Sequence, residues 1–252
     1  MNNVKTVADM IGECKNVAFF GGAGVSTESG VKDYRSENGL YSTVKEYGIP
    51  PEEILSRDFF FEKPDVFYDF YRKYFISDAK PNGAHKALAA LEERGILSGV
   101  ITQNIDGLHQ AAGSKNVIEL HGNAKKFYCS KCKTDADGFA ATEAIKKGGI
   151  PKCPYCSGIV KPKVVLYGEP LYDGVAEAAV DIISHSEMLI VGGTSLAVYP
   201  AALFVRYFCG KYLIIINKTE TDYDKRADLI VRENIGEFFE NVMKYASDGH
   251  IF

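Results

Sequence analysis

The sequence predicts an α/β fold: an open parallel sheet with helices on both faces, and a small metal-held module inserted into it. Three observations carry that expectation. Short runs rich in β-branched residues alternate with helix-length amphipathic stretches, as they do where strands are joined by crossover helices. The first of these runs, 17–21, passes directly into Gly21-Gly22-Ala23-Gly24-Val25-Ser26, a strand-to-loop-to-helix entry. Two thiol couplets, Cys129-Ser-Lys-Cys132 and Cys153-Pro-Tyr-Cys156, stand twenty residues apart where the composition shifts to Lys, Asp, Gly and Cys.

In chain order, an amphipathic helix is expected over 4–14, then the apolar strand 17–21 and its glycine loop. Helices follow at 64–75, which is rich in aromatics, and at 82–94, which carries an Ala/Leu stripe. Strands are expected at 98–102 and 117–120, each ending in a polar block, and at 164–166 beyond the cysteines. The rest alternates regularly, with helix 175–186, strand 188–191, helix 200–208, strand 212–216, strand 228–231 and helix 236–245. No repeat or low-complexity segment interrupts the pattern. Residues 1–124 and 160–252 are therefore expected to form one Rossmann-like domain, with 125–159 as the inserted module and a helical segment around 35–80 beside it.

With 252 residues, 46% hydrophobic and 25% charged, the chain can bury one good core and a small appendage. A net charge of −4 argues against nonspecific nucleic-acid binding, so no direct nucleic-acid partner is expected. Neither residues 1–10 nor any later segment has the apolar run of a signal peptide or membrane span, so a cytoplasmic protein with no membrane partner is expected. In a reducing compartment the two remaining cysteines, Cys14 and Cys209, read as core or surface residues and not as a disulfide.

Four soft ligands, Cys129, Cys132, Cys153 and Cys156, in two CxxC knuckles fit the closed tetrahedral thiolate cage of a structural Zn²⁺. Such a cage leaves no open position, so the chemistry must lie elsewhere. His121, in Glu119-Leu120-His121-Gly122, is the nearest suspect.

Glycines in the loop after the first strand would let the backbone approach a pyrophosphate, met by N–H groups at a helix N-terminus. By itself the loop equally fits a tight strand–helix turn with no ligand. Thr27 stands where a dinucleotide fingerprint has its third glycine, Gly30 being the next, and no acidic residue ends the second strand. Polar blocks at the ends of other strands add weight: Thr102-Gln103-Asn104-Ile105-Asp106-Gly107, Glu119-Leu120-His121-Gly122, Gly192-Gly193-Thr194-Ser195 and Ile216-Asn217-Lys218. One crevice at the carboxyl ends of the strands can gather them all.

Taken with Asp33-Tyr34-Arg35-Ser36, these blocks resemble the sirtuin family of NAD-dependent protein lysine deacylases, most closely its bacterial members. The resemblance runs from the glycine loop to Asn217, with the blocks in family order and the zinc couplets in place. It implies removal of acetyl groups from protein lysines with NAD consumed, giving nicotinamide, 2′-O-acetyl-ADP-ribose and free lysine. Around NAD it implies Gly22, Ala23, Gly24, Thr27, Asp33, Tyr34 and Arg35 on the phosphate and nicotinamide side. Gln103 and Asn104 would lie at the nicotinamide ribose, and Ile105 with Asp106 at the carboxamide. Gly193, Thr194, Ser195 and Asn217 would lie at phosphate and adenine ribose, and Ile235 at the adenine edge. His121 matches the catalytic base, with Asn104 beside it. An imidazole, whose ordinary pKa is about 6.5, is largely neutral at working pH and suits proton abstraction.

The resemblance places the acyl-lysine between module and main domain, flanked by Val164, Leu166 and Tyr167, with the peptide added as a strand. Lys32 replaces the proline usual before Asp33, and Tyr34 and Tyr167 replace phenylalanines. His109 reads as a buried, hydrogen-bonded neighbour of the site, while His85, His185 and His250 carry no motif and read as structural or surface residues. The aromatic runs Phe59 to Phe61 and Phe67 to Tyr71 fit either core or the border of the acyl pocket. Desuccinylating members pair a tyrosine with an arginine at the spacing of Tyr71 and Tyr74, so the tyrosine at 74 predicts an acetyl preference. Other readings weighed are an NAD-dependent ADP-ribosyltransferase, a noncatalytic NAD or ADP-ribose sensor, and a zinc-ribbon nucleic-acid binder. The acidic balance disfavours the last.

Overall fold

A computed structural model describes residues 3–33, 39, 44–249 and 251. In chain order the elements are α1 (Asn3–Glu13), β1 (Val17–Gly21), α2 (Val44–Tyr47), α3 (Pro51–Ile54), α4 (Arg57–Glu62), α5 (Pro64–Tyr74), α6 (Gly83–Glu93), β2 (Leu97–Thr102), α7 (Leu108–Ala112) and β3 (Val117–Glu119). They continue with β4 (Gly122–Cys129), β5 (Asp135–Ala136), α8 (Gly138–Lys146), β6 (Val160–Val164), α9 (Val175–Ser184), β7 (Met188–Gly192), β8 (Tyr212–Ile216), β9 (Leu229–Val231) and α10 (Ile235–Gly249).

Six strands form one all-parallel sheet in the order β3-β2-β1-β7-β8-β9. Its two faces are read directly from β1. Val17 and Phe19 enter the core built with α1, α6 and α10, while Ala18 and Phe20 enter the core built with α9. A strand buried on both faces must be apolar throughout, which is why β1, β7 and β8 read as continuous hydrophobic runs. Parallel pairing demands crossover connections, and these carry the covering helices.

A second, three-stranded sheet is antiparallel, in the order β5-β4-β6. The 164–166 run, expected as a strand of the main sheet, belongs here instead: Val164 is the last residue of β6 and pairs with Gly122 of β4. The apolar signal there belongs to the end of β6, which pairs with β4 and begins upstream at Val160, its Lys161-Pro162-Lys163 hiding it by their polarity. The 200–208 helix is a 3-10 helix over Ala201–Tyr207, with Leu203 N–H donating to Pro200 O at 2.9 Å. Ala201, Ala202, Phe204 and Val205 all pack inward, a crowded set that a short tight turn accommodates.

An aromatic layer packs against the second sheet. Phe60, Phe67, Tyr68, Phe70 and Tyr71, from α4 and α5, pack with Phe127, Val160 and Val164 of the second sheet. Tyr68 donates its hydroxyl to the carbonyl of Val160, and Tyr71 donates to the carbonyl of Ala124 at 2.6 Å. The runs from Phe59 to Phe61 and from Phe67 to Tyr71 are thus largely core, with only Phe61 among the phenylalanines exposed. Among the described residues no helix is long and apolar enough to cross a membrane.

Candidate active site

The parallel sheet reverses its direction of winding between β1 and β7, and there the carboxyl ends of the strands open a crevice. Gly22 N–H donates to Gly192 O at 3.1 Å, and Gly24 N–H donates to Gly193 O at 2.8 Å, so the glycine loop is laid across the end of β7. The approach is closer than any side chain allows. A Cβ on Gly24 would lie 2.8 Å from Gly193 Cα, and Gly193, at φ +58°, would put one 2.3 Å from Val25 N. Glycine is therefore demanded at both positions by the packing of this loop on the end of β7, and the loop lies where open α/β sheets bind their ligands.

The polar blocks converge on this point. Gln103 donates its amide N–H to Thr194 Oγ1 at 3.0 Å, joining the end of β2 to the end of β7. Asn104 donates to Gly22 O at 3.0 Å and to Ser26 Oγ at 3.1 Å. Ser26 in turn donates to Asp106 Oδ2 at 2.7 Å, while Asp106 Oδ1 accepts the Leu108 N–H. Ile105 is fixed by its carbonyl, which accepts the Ala124 N–H of β4 at 2.8 Å and so links this loop to the second sheet.

His121 lies in the turn just before β4, and its Nδ1 is 3.0 Å from the carbonyl oxygen of Gln103. A carbonyl only accepts, so Nδ1 carries the proton and Nε2 keeps its lone pair. Burial pushes the imidazole below its ordinary pKa, opposed by the bond to Gln103, so the neutral form prevails at pH 7. A neutral imidazole with one nitrogen anchored and the other an acceptor has the form that a general base requires.

Of the remaining expected residues, Ala23 lies in the glycine loop, Thr27 bonds Gly24 O at 3.0 Å, and Asp33 is partly buried. Ser195 is exposed at the end of β7. Asn217 follows β8 with its amide turned to Thr219, and buried Ile235 starts α10 against the edge of Gly192. Tyr34, Arg35, Ser36 and His250 lie outside the described residues.

His85, read as a structural or surface residue, is structural: it is buried in α6 with Nε2 3.5 Å from Ser26 Oγ. Its position follows from the helix cap: Asn82 Oδ1 accepts the Ala84 N–H, the Asn82 N–H donates to His85 Nδ1, and Asn82 Nδ2 reaches back to Val25 O in the glycine loop. Asn82, just before an Ala/Leu stripe with a polar ring three residues on, was a sequence signal for it. His109 is buried as expected but not hydrogen-bonded, since neither ring nitrogen has a partner among the described residues. Its ring packs 4.6 Å from that of His85, centroid to centroid.

The four cysteines of the second sheet place their sulfurs within 4.8 Å of one another, with Cys129 and Cys156 at 3.5 Å and Cys132 and Cys153 at 3.7 Å. Tetrahedral Zn–S bonds of about 2.3 Å require S···S edges of about 3.8 Å, so the set fits structural zinc.

The family model described as the Sir2 family matches residues 22–200. The chain belongs to the Sir2 family. It is 50% identical over 245 residues to an NAD-dependent protein deacetylase of Clostridium acetobutylicum, covering 96% of this chain and 99% of the relative. It is 44% identical over 256 residues to one of Sulfolobus acidocaldarius, covering 99% and 98%. Among solved structures, one from work on the mechanism and regulation of Sir2 enzymes superposes with a TM-score of 0.89 at 37% identity, covering 98% of this chain and 99% of that one. A Sir2 complex with p53 peptide and NAD⁺ matches with a TM-score of 0.84 at 36% identity, covering 99% of each chain. For this Sir2-family chain, the parallel sheet and the four-cysteine module are the expected architecture.

The segment expected to flank an acyl-lysine sits beside His121. Val165 N–H donates to His121 O at 2.9 Å; Tyr167 N–H donates to Leu55 O at 3.0 Å, and Tyr167 O accepts the Arg57 N–H at 2.9 Å. Val164 and Leu166 are buried and Tyr167 is exposed.

Proposed function

We propose that this protein is an NAD-dependent protein deacetylase that transfers the acetyl group of an acetylated lysine to ADP-ribose, releasing nicotinamide. Bound NAD would supply a ribose carbon from which nicotinamide departs as the acyl oxygen arrives. Glycines 22, 24 and 193, with Ala23 and Thr27, would hold its phosphates at the β1–β7 switch, with Asp33, Tyr34 and Arg35 on the nicotinamide side. Gln103 and Asn104 would orient the reacting ribose, and Ile105 with Asp106 would receive the carboxamide. Thr194, Ser195, Asn217 and Ile235 would hold the adenosine half.

The observation that carries this reading is the Gln103–His121 bond. It fixes the tautomer that leaves Nε2 free to take a proton, beside the glycine loop at the β1–β7 switch. Zinc, held by the four cysteines, would act on folding alone. The acetylated lysine would enter between the two sheets, past Val164, Leu166 and Tyr167. We assign residues 125–159 to zinc and 1–124 with 160–252 to NAD, the module's strands reaching to Gly122 and Val164. We further propose that the protein acts in the cytoplasm and binds no nucleic acid directly.

The test is nicotinamide release from NAD with and without an acetyl-lysine peptide, with free lysine followed by mass and His121→Ala in parallel. Peptide-dependent release, matched one for one by deacetylated product and lost in the variant, is expected. NAD binding without turnover would move the protein to a sensor role, and ADP-ribose found on protein would move it to a transferase.

A further inference from the structure

We propose that the buried Lys161–Glu169 ion pair is the positioning device of the acyl-lysine strand, setting how firmly substrate backbone is held without touching it. The inference rests on the reading of Val164, Leu166 and Tyr167 as residues flanking the acyl-lysine.

Lys161, on β6, is 1% exposed, an unusual place for an ammonium group. Its Nζ donates to Glu169 Oε2 at 2.9 Å and to Val164 O at 2.8 Å, and it lies 5.7 Å from the centre of the Tyr128 ring. The same Glu169 oxygen accepts the Leu166 N–H at 2.9 Å, and the Glu169 N–H donates to Leu166 O at 2.9 Å. Glu169 thereby closes both ends of a four-residue turn whose third residue, Gly168, takes the left-handed φ of +87°. The side chains of one ion pair thus bind two backbone groups, Val164 O and Leu166 N–H, and the Glu169 backbone adds a third at Leu166 O.

A buried ion pair is weak as a device for stability, because an apolar residue of the same volume commonly serves as well. What it supplies here is direction: charged donors and acceptors of fixed geometry aimed at specific carbonyls and amides. Burial pushes the Lys161 ammonium toward its neutral form, and Glu169 opposes that shift. The residues so held adjoin the two anchors of the groove, the His121 carbonyl on one side and the Leu55 to Arg57 backbone on the other. Strand addition draws its affinity from main-chain hydrogen bonds, so a displaced strand weakens peptide binding first. The glycine loop hangs on β1 and β7 and shares none of these contacts.

The experiment is steady-state kinetics of Lys161→Met and Glu169→Gln with an acetyl-lysine peptide and NAD varied in turn, zinc content and melting temperature being recorded. The expected result is a peptide KM raised tenfold or more in K161M and threefold or more in E169Q, with NAD KM and kcat at saturating peptide within twofold of wild type. A peptide KM within twofold of wild type in either folded, zinc-loaded variant overturns the proposal, as does a parallel rise in both KM values. Glu169 is partly exposed, so E169Q carries the test if K161M does not fold. Wild-type protein that neither binds nor turns over the peptide overturns the deacetylase reading, and this proposal with it. Variants matching an active wild type overturn this proposal alone.

Discussion

The Nδ1 of His121 donates to the backbone carbonyl of Gln103 across 3.0 Å, so the proposed base and a residue proposed to hold the ribose are fixed to each other by one bond. Burial depresses the imidazole pKa, and the neutral form is the one the proposed reaction uses. The base is present above the folded-state pKa and is lost by protonation below it. Deacetylation kcat/KM should therefore stay flat through neutral pH and fall only on the acid side of about 6.5, the ordinary imidazole value. Its acid limb should vanish in His121→Ala, with activity down by about 10²- to 10⁴-fold. A pH–rate profile of wild type and variant checks both, and a limb centred above 7 would contradict the geometry.

The strands that carry the zinc module are tied to the site by backbone bonds, Ala124 N–H of β4 to Ile105 O and, just beyond β6, Val165 N–H to His121 O. Structural zinc contributes about 10–16 kcal/mol in zinc-finger peptides, comparable to the whole stability of a domain. Cys129→Ala should lose zinc and melting temperature together, with activity falling as the folded fraction falls. Metal analysis and calorimetry on one preparation test this, and a metal-free, stable, fully active variant would refute it.

Tyr71 is buried with its hydroxyl spent on Ala124 O, and Arg72 and Lys73 on the same helix are paired to Asp69, which Lys73 meets at 3.2 Å. Tyr74 donates to Glu46 at 3.0 Å. This helix offers no tyrosine–arginine pair to an acyl carboxylate, so acetyl-lysine should be preferred over succinyl-lysine by at least about tenfold, since one lost charge-assisted bond costs about 1.5–3 kcal/mol. Comparing kcat/KM on two peptides that differ only in the acyl group decides it. Tyr71→Phe should lower the melting temperature by several degrees, because it leaves the Ala124 carbonyl buried without its donor.

How much of this was legible in the sequence depended on what hid the signal. β8 emerges with its expected ends because Tyr212 to Ile216 is apolar on both faces, rich in β-branched residues and too short for a buried helix. The strand-end blocks located the crevice because parallel topology brings carboxyl ends together whatever the loops do. β6 stayed hidden because Lys161 reads as a surface residue until Glu169 is seen beside it, and sequence periodicity does not register pairing across a turn. α8 was missed although Asp137 caps it, accepting the Phe139 N–H at 2.8 Å, since the surrounding cysteines and lysines drew the reading toward a metal loop. The burial of His85 was not legible because it comes from the packing of α6 against the glycine loop and not from a motif of its own.

His85 and His109 form a buried imidazole pair, and their acid behaviour follows from burial. Desolvation pushes His85 down to about 4, with Asp106 opposing, and His109 down to about 3, with His85 adding to the effect. In the unfolded chain both titrate near 6.5. Above that value neither state binds the proton and stability is unaffected. As pH falls from about 6.5 toward 4, the unfolded chain takes up protons that the folded one refuses, and stability drops by up to about 1.4 kcal/mol per pH unit for each histidine. His109 has no partner for either ring nitrogen among the described residues, so its polarity costs free energy at neutral pH as well. His109→Leu, close in volume and apolar, should therefore melt at or above the wild-type temperature at pH 7.5 and clearly above it at pH 5, with a shallower acid slope. Thermal melts from pH 4.5 to 8 measure this. Equal slopes for the two proteins would mean that His109 titrates normally in the folded state and that water reaches its ring.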